Sequence, residues 1–258
     1  MKKVYNLEKR AKKEKKLTAD GSYTLYSAEF DECYHSLKDG ALQEALKKHI
    51  EVAFEFQKEK TSLNILDICF GLGYNTFATV YFIKRFFPKK RVNIISPEFD
   101  IELVKSLKDF SYPKEFEPIK DIIYQVSQNG FYEDKNIKIE ILFGDAREIL
   151  PKLKQKFDIV YQDAFSPKKN PLLWTREYFE TIKAISSEDI ILTTYSIATP
   201  VRVALWESGF LVYEYPNKSV RRGTVASLKP LDLKEVDIEL KLQRNKEARS
   251  LRDRDFME

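Results

Sequence analysis

The 258-residue chain carries 44 Lys and Arg against 40 Asp and Glu, a net charge of +4, a length that supports a substantial core and fits one α/β domain with extensions. Two cysteines, Cys33 and Cys69, beside two histidines, His35 and His49, offer neither a disulfide framework nor zinc-ligand spacing, so no metal is expected. No apolar run approaches the ~18 residues of a membrane span and none follows the N-terminal lysines as a secretory signal would require, which leaves a soluble, cytoplasmic protein as the expectation, with no membrane partner.

Charge is uneven along the chain. Residues 1–16 hold eight basic side chains (Lys2, Lys3, Lys9, Arg10, Lys12, Lys13, Lys15, Lys16) against Glu8 and Glu14, and six more between Lys241 and Arg254 oppose Glu247 and Asp253. Such ends are either solvated faces and ion-pair networks or contacts for nucleic acid. Residues 22–36 read as strand or turn and 40–57 as helix. LNILDIC at 63–69 is an apolar run of strand length, followed by helical spacing from Asn75 to Phe87 that Pro88 stops. RVNIIS at 91–96 is a second buried strand. The insertion from Asp100 to Asn136 is too long for a plain connection and is expected to hold its own helices and to cover part of the site. IKIEILF at 137–143, KFDIVYQ at 156–162 and EDIILTTY at 188–195 are three further strands. A helix over 198–208 precedes GFLVYEY at 209–215, and TVASL at 224–228 returns antiparallel through a turn near Asn217. Strands alternating with helices predict a mostly parallel, seven-stranded sheet with an antiparallel last strand. The expected division is a basic extension capping the site (1–60), a core domain (61–230) and a basic helical tail (231–258).

In an open α/β sheet the chemistry gathers at the carboxyl ends of the strands. The first buried strand runs through Asp67 into Phe70-Gly71-Leu72-Gly73, where glycine allows a sharp turn and a close backbone approach to a ligand. Thr76 stands where a dinucleotide fingerprint would place its third glycine, which weakens a pyrophosphate reading. The second strand ends at Glu98, a carboxylate suited to both hydroxyls of a ribose. Asp145, before Ala146, either caps the helix that follows or accepts from an adenine amino group. The fourth strand ends at Asp163. Asp67, Glu98, Asp145 and Asp163 thus end four successive strands at one sheet edge. Two phosphates call for donors; an acidic rim suits a ligand with hydroxyls, amines and a sulfonium cation, the set carried by S-adenosylmethionine.

FGLGYNTF, SPEF, FGDAREIL and above all QDAFSPKKNPLLW resemble the methyltransferase half of the bacterial bifunctional tRNA enzymes of the MnmC family. FDECYHS at 30–36, TTYSIATPVRVAL at 193–205 and Arg221-Arg222 extend the similarity over about residues 20–228. Cys69 stands where the family has glycine, Gly223 interrupts its basic segment, and no FAD-binding oxidase follows. The resemblance implies a Rossmann-like class I S-adenosylmethionine-dependent methyltransferase without FAD. It also implies N-methylation of 5-aminomethyl-(2-thio)uridine at tRNA position 34, with the anticodon stem-loop as partner and a separate oxidase as a candidate second one. Expected cofactor contacts are Tyr34, Asp67, Phe70, Gly71, Gly73, Asn75, Glu98, Asp145, Ala146 and Asp163, with His35 closing beside Tyr34.

Asp163 is the candidate catalytic residue. It either orients the substrate amine and helps accept its proton, or holds the donor's amino group and sulfonium electrostatically. Phe165, Lys168 and Lys169 suit a splayed base and its phosphates, or else a packed, solvated turn; Trp174 reads as packing. Arg202, Arg221 and Arg222 are the expected contacts to the anticodon backbone. A small-amine methyltransferase or an aminopropyltransferase of the spermidine-synthase type is the alternative enzyme, disfavoured by KKNP beside Asp163, since a polycation would favour acids there. A non-catalytic tRNA-binding module is disfavoured by the intact Glu98, Asp145 and Asp163.

Overall fold

The computed structural model describes residues 7–215, 220–245 and 248–256; Lys2, Lys3 and the expected turn near Asn217 lie outside them. The basic extension contributes β1 (Lys13–Leu17), which pairs antiparallel with β2 (Tyr23–Ser27), which in turn pairs with β3 (Glu32–Cys33) in a small separate sheet. The main sheet consists of β4 (Ser62–Ile68), β5 (Arg91–Glu98), β6 (Phe131–Glu133), β7 (Ile137–Phe143), β8 (Phe157–Gln162), β9 (Ser186–Thr194), β10 (Leu211–Tyr215) and β11 (Gly223–Ser227), in the order β10-β11-β9-β8-β4-β5-β7-β6. The five strands β7-β5-β4-β8-β9 are parallel, while β11 runs antiparallel to both β9 and β10. This is the mostly parallel, Rossmann-like arrangement expected, with eight strands instead of seven. The eighth, β6, pairs antiparallel with β7; three residues at a sheet edge are too few to show a period of two.

Alternation sorts the side chains into two cores. Leu63 and Ile65 of β4 face the helices 41–57, Tyr74–Phe86 and Lys120–Asn129, whereas Leu66 and Ile68 face the helices Arg176–Ala184 and Thr199–Glu207. Helices on both faces bury the sheet, so its open chemistry is left to the strand ends.

The insertion does hold helices, Ile101–Ser106 and Lys120–Asn129. It does not roof the cavity as expected, because of its described residues only Asp100 lines it. Instead it braces the glycine loop: Tyr112 Oη donates to the Leu72 carbonyl at 2.6 Å, and Phe116 packs against Tyr74 and Phe77. Residues 29–38, apart from Asp31, line the cavity as well. In the basic extension Lys13 pairs with Asp100 at 2.7 Å, Arg10 pairs with Glu29 and lies over Phe99, and Lys15 lies over Tyr23. Near the C-terminus Asp253 accepts from Arg147 and Thr175, and Arg252 pairs with Glu177. These cations therefore serve internal pairing, a role that composition alone did not separate from nucleic-acid contact.

Candidate functional site

A cavity of about 1180 Å³ opens at the carboxyl ends of β4, β5, β7 and β8, the crevice where open α/β sheets bind ligands. The turn after β4 makes room for it: Cys69 takes φ 65°, and Gly71 and Gly73 take φ 55° and 70°. Gly73 does not line the cavity. A Cβ there would come within 2.5 Å of the Phe77 ring and 2.8 Å of Phe70, so this glycine serves the turn and its packing. Gly71 does line it, with Tyr34 so close that a Cβ would sit 3.1 Å from the Tyr34 ring.

Glu98, buried at the end of β5, holds this loop. Its Oε2 accepts from Gly71 N at 2.8 Å and its Oε1 from Phe99 N and Asp100 N at 2.9 Å each. Burial pushes its carboxyl up, and the N–H groups of Asp100 and Gly71 pull the other way. A carboxylate has about four acceptor positions, so one remains for a ligand hydroxyl. Asp145 accepts from Arg147 N at 2.9 Å as the cap of the short helix Ala146–Ile149 and also lines the cavity with Ala146. Capping and ligand contact are therefore compatible here.

Asp67 departs from expectation. It is 1% exposed and absent from the cavity wall; its carboxyl receives Thr76 Oγ1 at 2.7 Å and Asn75 Nδ2 at 3.4 Å. Burial pushes its pKa up to about 8, against the pull of the Thr76 hydroxyl. It anchors the helix Tyr74–Phe86, so the acids at the cavity are Glu98, Asp145 and Asp163. Asn75 links the buried acid to the cavity-lining one by donating to Asp163 Oδ2 at 2.9 Å, while its own Oδ1 is buried without a partner among the described residues. An orphaned acceptor on a cavity wall fits a ligand amino group.

Asp163 lies between Asn75 and His49, whose Nε2 is 3.7 Å from Oδ1. Burial raises its carboxyl, but the facing imidazoles of His49 and His35 and the Asn75 amide outweigh this, so its pKa is lowered and it is a carboxylate at neutral pH. Beyond it the wall turns aromatic. Phe165 stacks on Phe30 with ring centroids 4.3 Å apart and meets Tyr34 edge-on at 4.9 Å. Trp174 is fully buried and supports this loop by donating Nε1–H to the Phe165 carbonyl at 2.8 Å. Glu32 accepts from Ser166 N, and Tyr195 Oη donates to the Ala164 carbonyl.

The expected cationic contacts divide. Arg202 is 4% exposed, bonded to Thr224 Oγ1 and 3.7 Å from Glu214, and burial lowers its pKa; it is a support beneath β11 and not a surface contact. Arg221 lines the cavity mouth with Lys38 and reaches Asp39 and Ser36. Arg222 pairs with Glu214 outside the wall. Lys169 pairs with Asp31, and Lys168 is exposed; neither lines the cavity. Sequence reasoning missed Phe30, Glu32, Lys38, Glu44, Asn170 and Tyr195 on the wall and His49 behind it. For Phe30 and Glu32 the FDECYHS stretch was a usable signal; for His49, 114 residues before Asp163 in the chain, none was present.

Among the described residues no group of three or more His, Cys, Asp or Glu is arranged to hold a metal ion, and no helix is long and apolar enough to cross a membrane. A family model described as S-adenosyl-L-methionine-dependent methyltransferase matches residues 117–230. MNMC2 from Aquifex aeolicus is 35% identical in sequence and superposes with a TM-score of 0.86 over 98% of this chain and 83% of its own. An uncharacterized protein of Methanocaldococcus jannaschii is 34% identical over 85% of this chain and 62% of its own length. The tRNA 5-methylaminomethyl-2-thiouridine biosynthesis bifunctional protein MnmC of Leptospira interrogans is 29% identical over 80% of this chain, which spans 34% of that longer protein. A probable spermidine synthase from Corynebacterium glutamicum shares the fold at 12% identity, with a TM-score of 0.57 over 93% of this chain and 92% of its own.

Proposed function

The chain belongs to the S-adenosyl-L-methionine-dependent methyltransferases of the MnmC type, and from that premise we propose that it methylates the primary amine of 5-aminomethyl-(2-thio)uridine at tRNA wobble position 34. One observation carries this reading: an ionised Asp163, held by Asn75, sits between the wall formed by Glu98 and Asp145 and an aromatic wall built from Phe30, Tyr34 and Phe165. A carboxylate there suits an incoming ammonium or amine, and ring faces suit a base lifted out of its stack.

The donor supplies an electrophilic methyl on a positively charged sulfur. Glu98 is assigned the ribose, Asp145 and Ala146 the adenine side, Gly71 and Phe70 the close approach, and the Asn75 Oδ1 the amino group of the donor's methionine part. Asp163 orients the substrate nitrogen so that its lone pair points along the displacement axis, and this positioning is the protein's main contribution to an in-line transfer. Arg221 and Lys38 at the mouth, with exposed Lys168 beside the Phe165 loop, are assigned the anticodon phosphates. Residues 1–60 act as the cap, 61–230 as the catalytic domain and 231–258 as a brace behind Asp145. KKNP beside Asp163 supports a polyanionic substrate over a polyamine.

The test is incubation with labelled methyl donor and tRNA carrying aminomethyluridine, followed by nucleoside analysis. Label is expected in methylaminomethyluridine and absent from an unmodified transcript. Label in a free polyamine and none in the tRNA would favour the spermidine-synthase-like alternative.

A further inference from the structure

Behind Asp163 sits His49, fully buried and off the cavity wall. Its Nδ1 is 2.9 Å from Thr193 Oγ1 of β9, and its ring meets Tyr161 of β8 edge-on at 5.7 Å. Its Nε2 is buried, lies 3.7 Å from Asp163 Oδ1, and has no hydrogen-bond partner among the described residues. The residue is carried by a wide π-helical stretch, Ala45–Ile50, inside the helix 41–57. Such turns are rare and recur at functional sites. A buried polar nitrogen without a partner calls for an explanation, and packing alone would be served by an apolar side chain. With Nδ1–H directed at Thr193, Nε2 turns its lone pair toward a carboxylate oxygen. Two acceptors then face each other across 3.7 Å, a separation that a proton bound at Nε2 would draw in to hydrogen-bond distance.

We propose that His49 is the terminal proton acceptor of the site, receiving through Asp163 the proton that the substrate ammonium must lose before its nitrogen can be methylated. This rests on the reading that the acceptor is an amine held at Asp163. The N–H bond of the ammonium breaks with its electron pair left on nitrogen. The proton crosses the Asp163 carboxyl, a new N–H bond forms at His49 Nε2, and Asp163 returns to the carboxylate. The freed lone pair then forms the bond to the methyl carbon while the sulfur–carbon pair stays on sulfur. The product leaves as a secondary ammonium, and the proton on His49 returns to solvent. Asp163 alone is a poor terminal base, because a carboxylic acid is several powers of ten more acidic than the aliphatic ammonium it would have to deprotonate.

Few other charges face His49. Asp163 faces it from the loop after β8, Tyr161 from β8 donates no charge near neutral pH because burial pushes its phenol far up, and His35 lies near enough to interact. On its own helix Lys48 is held between Asp39 and Glu44, and Lys47 by Glu51. Among the described residues, the carboxylate that faces the His49 ring is therefore that of Asp163.

The experiment compares wild type with His49→Gln in single-turnover methylation of tRNA carrying aminomethyluridine, at saturating donor, from about pH 6 to about pH 10. The variant is expected to lose about 100-fold near pH 7. That deficit should close toward wild type at the alkaline end, where an aliphatic amine with a pKa of about 10.4 sheds its proton to water. A loss of the same factor at every pH, or none, overturns the proposal, since a structural role would not follow the substrate's titration. A second arm needs no activity and no folded His49 variant. With only two histidines in the chain, 15N-histidine spectra follow each imidazole, and Asp163→Asn should lower the titration midpoint of His49. An unchanged midpoint overturns the coupling even if methylation is seen. A wild type that methylates no aminomethyluridine while the midpoint does shift sinks the substrate reading and leaves the His49–Asp163 couple standing.

Discussion

Replacing Glu98 by Gln keeps the shape of the side chain and changes one atom from acceptor to donor. In the wild type, Oε2 accepts from Gly71 N at 2.8 Å and Oε1 from Phe99 N and Asp100 N at 2.9 Å. If the amide oxygen stays on Phe99 and Asp100, the new NH2 meets the Gly71 N–H, donor against donor, and one buried backbone group goes unpaired, a loss of about 1–3 kcal/mol. Turning the amide over leaves two unpaired. Loss of charge weakens the bonds that remain, while relief of a buried carboxylate returns part of this, since burial already pushes Glu98 up. The net expectation is about 2 kcal/mol less stability in urea unfolding. The last acceptor position, assigned to a ribose hydroxyl, also becomes a donor, so donor affinity should fall about 10- to 100-fold. Calorimetry with S-adenosylmethionine and urea unfolding on the same preparations read both. Wild-type affinity in a destabilised variant would refute the ribose assignment, and unchanged stability would refute the hydrogen-bond account of the loop.

Asp163→Asn should fold, because a turned amide can still accept from Asn75 and donate toward His49. Turnover should fall about 100-fold or more with donor affinity nearly unchanged; equal losses in both would assign Asp163 to holding the donor. Asp67, with a folded pKa of about 8 against about 3.9 unfolded, binds more protons folded than unfolded between those values. Its contribution is therefore fully present below about pH 4 and is lost as the pH rises through about 8. Asp67→Asn should remove that slope from urea midpoints measured between pH 5 and 8, and a parallel slope in variant and wild type would contradict the burial argument. Arg202→Ala should lower stability and leave the salt dependence of tRNA binding alone, whereas Arg221→Ala should reduce the salt slope by about one without destabilising the fold. The reverse pattern would return Arg202 to the binding surface.

Apolar strand-length runs and the helices between them made the parallel core legible, since strands buried on both faces read as near-continuous apolar segments, and IKIEILF at 137–143, nearer the sheet edge, as an alternating one. The strand-end rule then located Glu98, Asp145 and Asp163 without contact information. That rule erred at Asp67, which lies within β4 one position before its last residue and points its carboxyl into the helix Tyr74–Phe86. Residue type alone misled at Arg202, because whether a cation meets solvent or a buried Thr224 and Glu214 depends on how β11 folds back over it. The basic strand KEKKL gave no apolar period to read, and its lysines turn out to be tied to Asp100, Tyr23 and Ser111. His49 was illegible for a different reason. Its meaning lies in a pairing with residues more than a hundred positions away, which only the packing of the helix 41–57 against β9 brings together.

The most direct measurement is a crystal structure with S-adenosylmethionine and an aminomethyluridine nucleotide bound together. The ribose is predicted on Glu98, the donor's methyl facing the Asp163 end of the cavity, and the substrate nitrogen within hydrogen-bond distance of the Asp163 carboxylate. A donor bound elsewhere, or a methyl directed away from Asp163, would contradict the account.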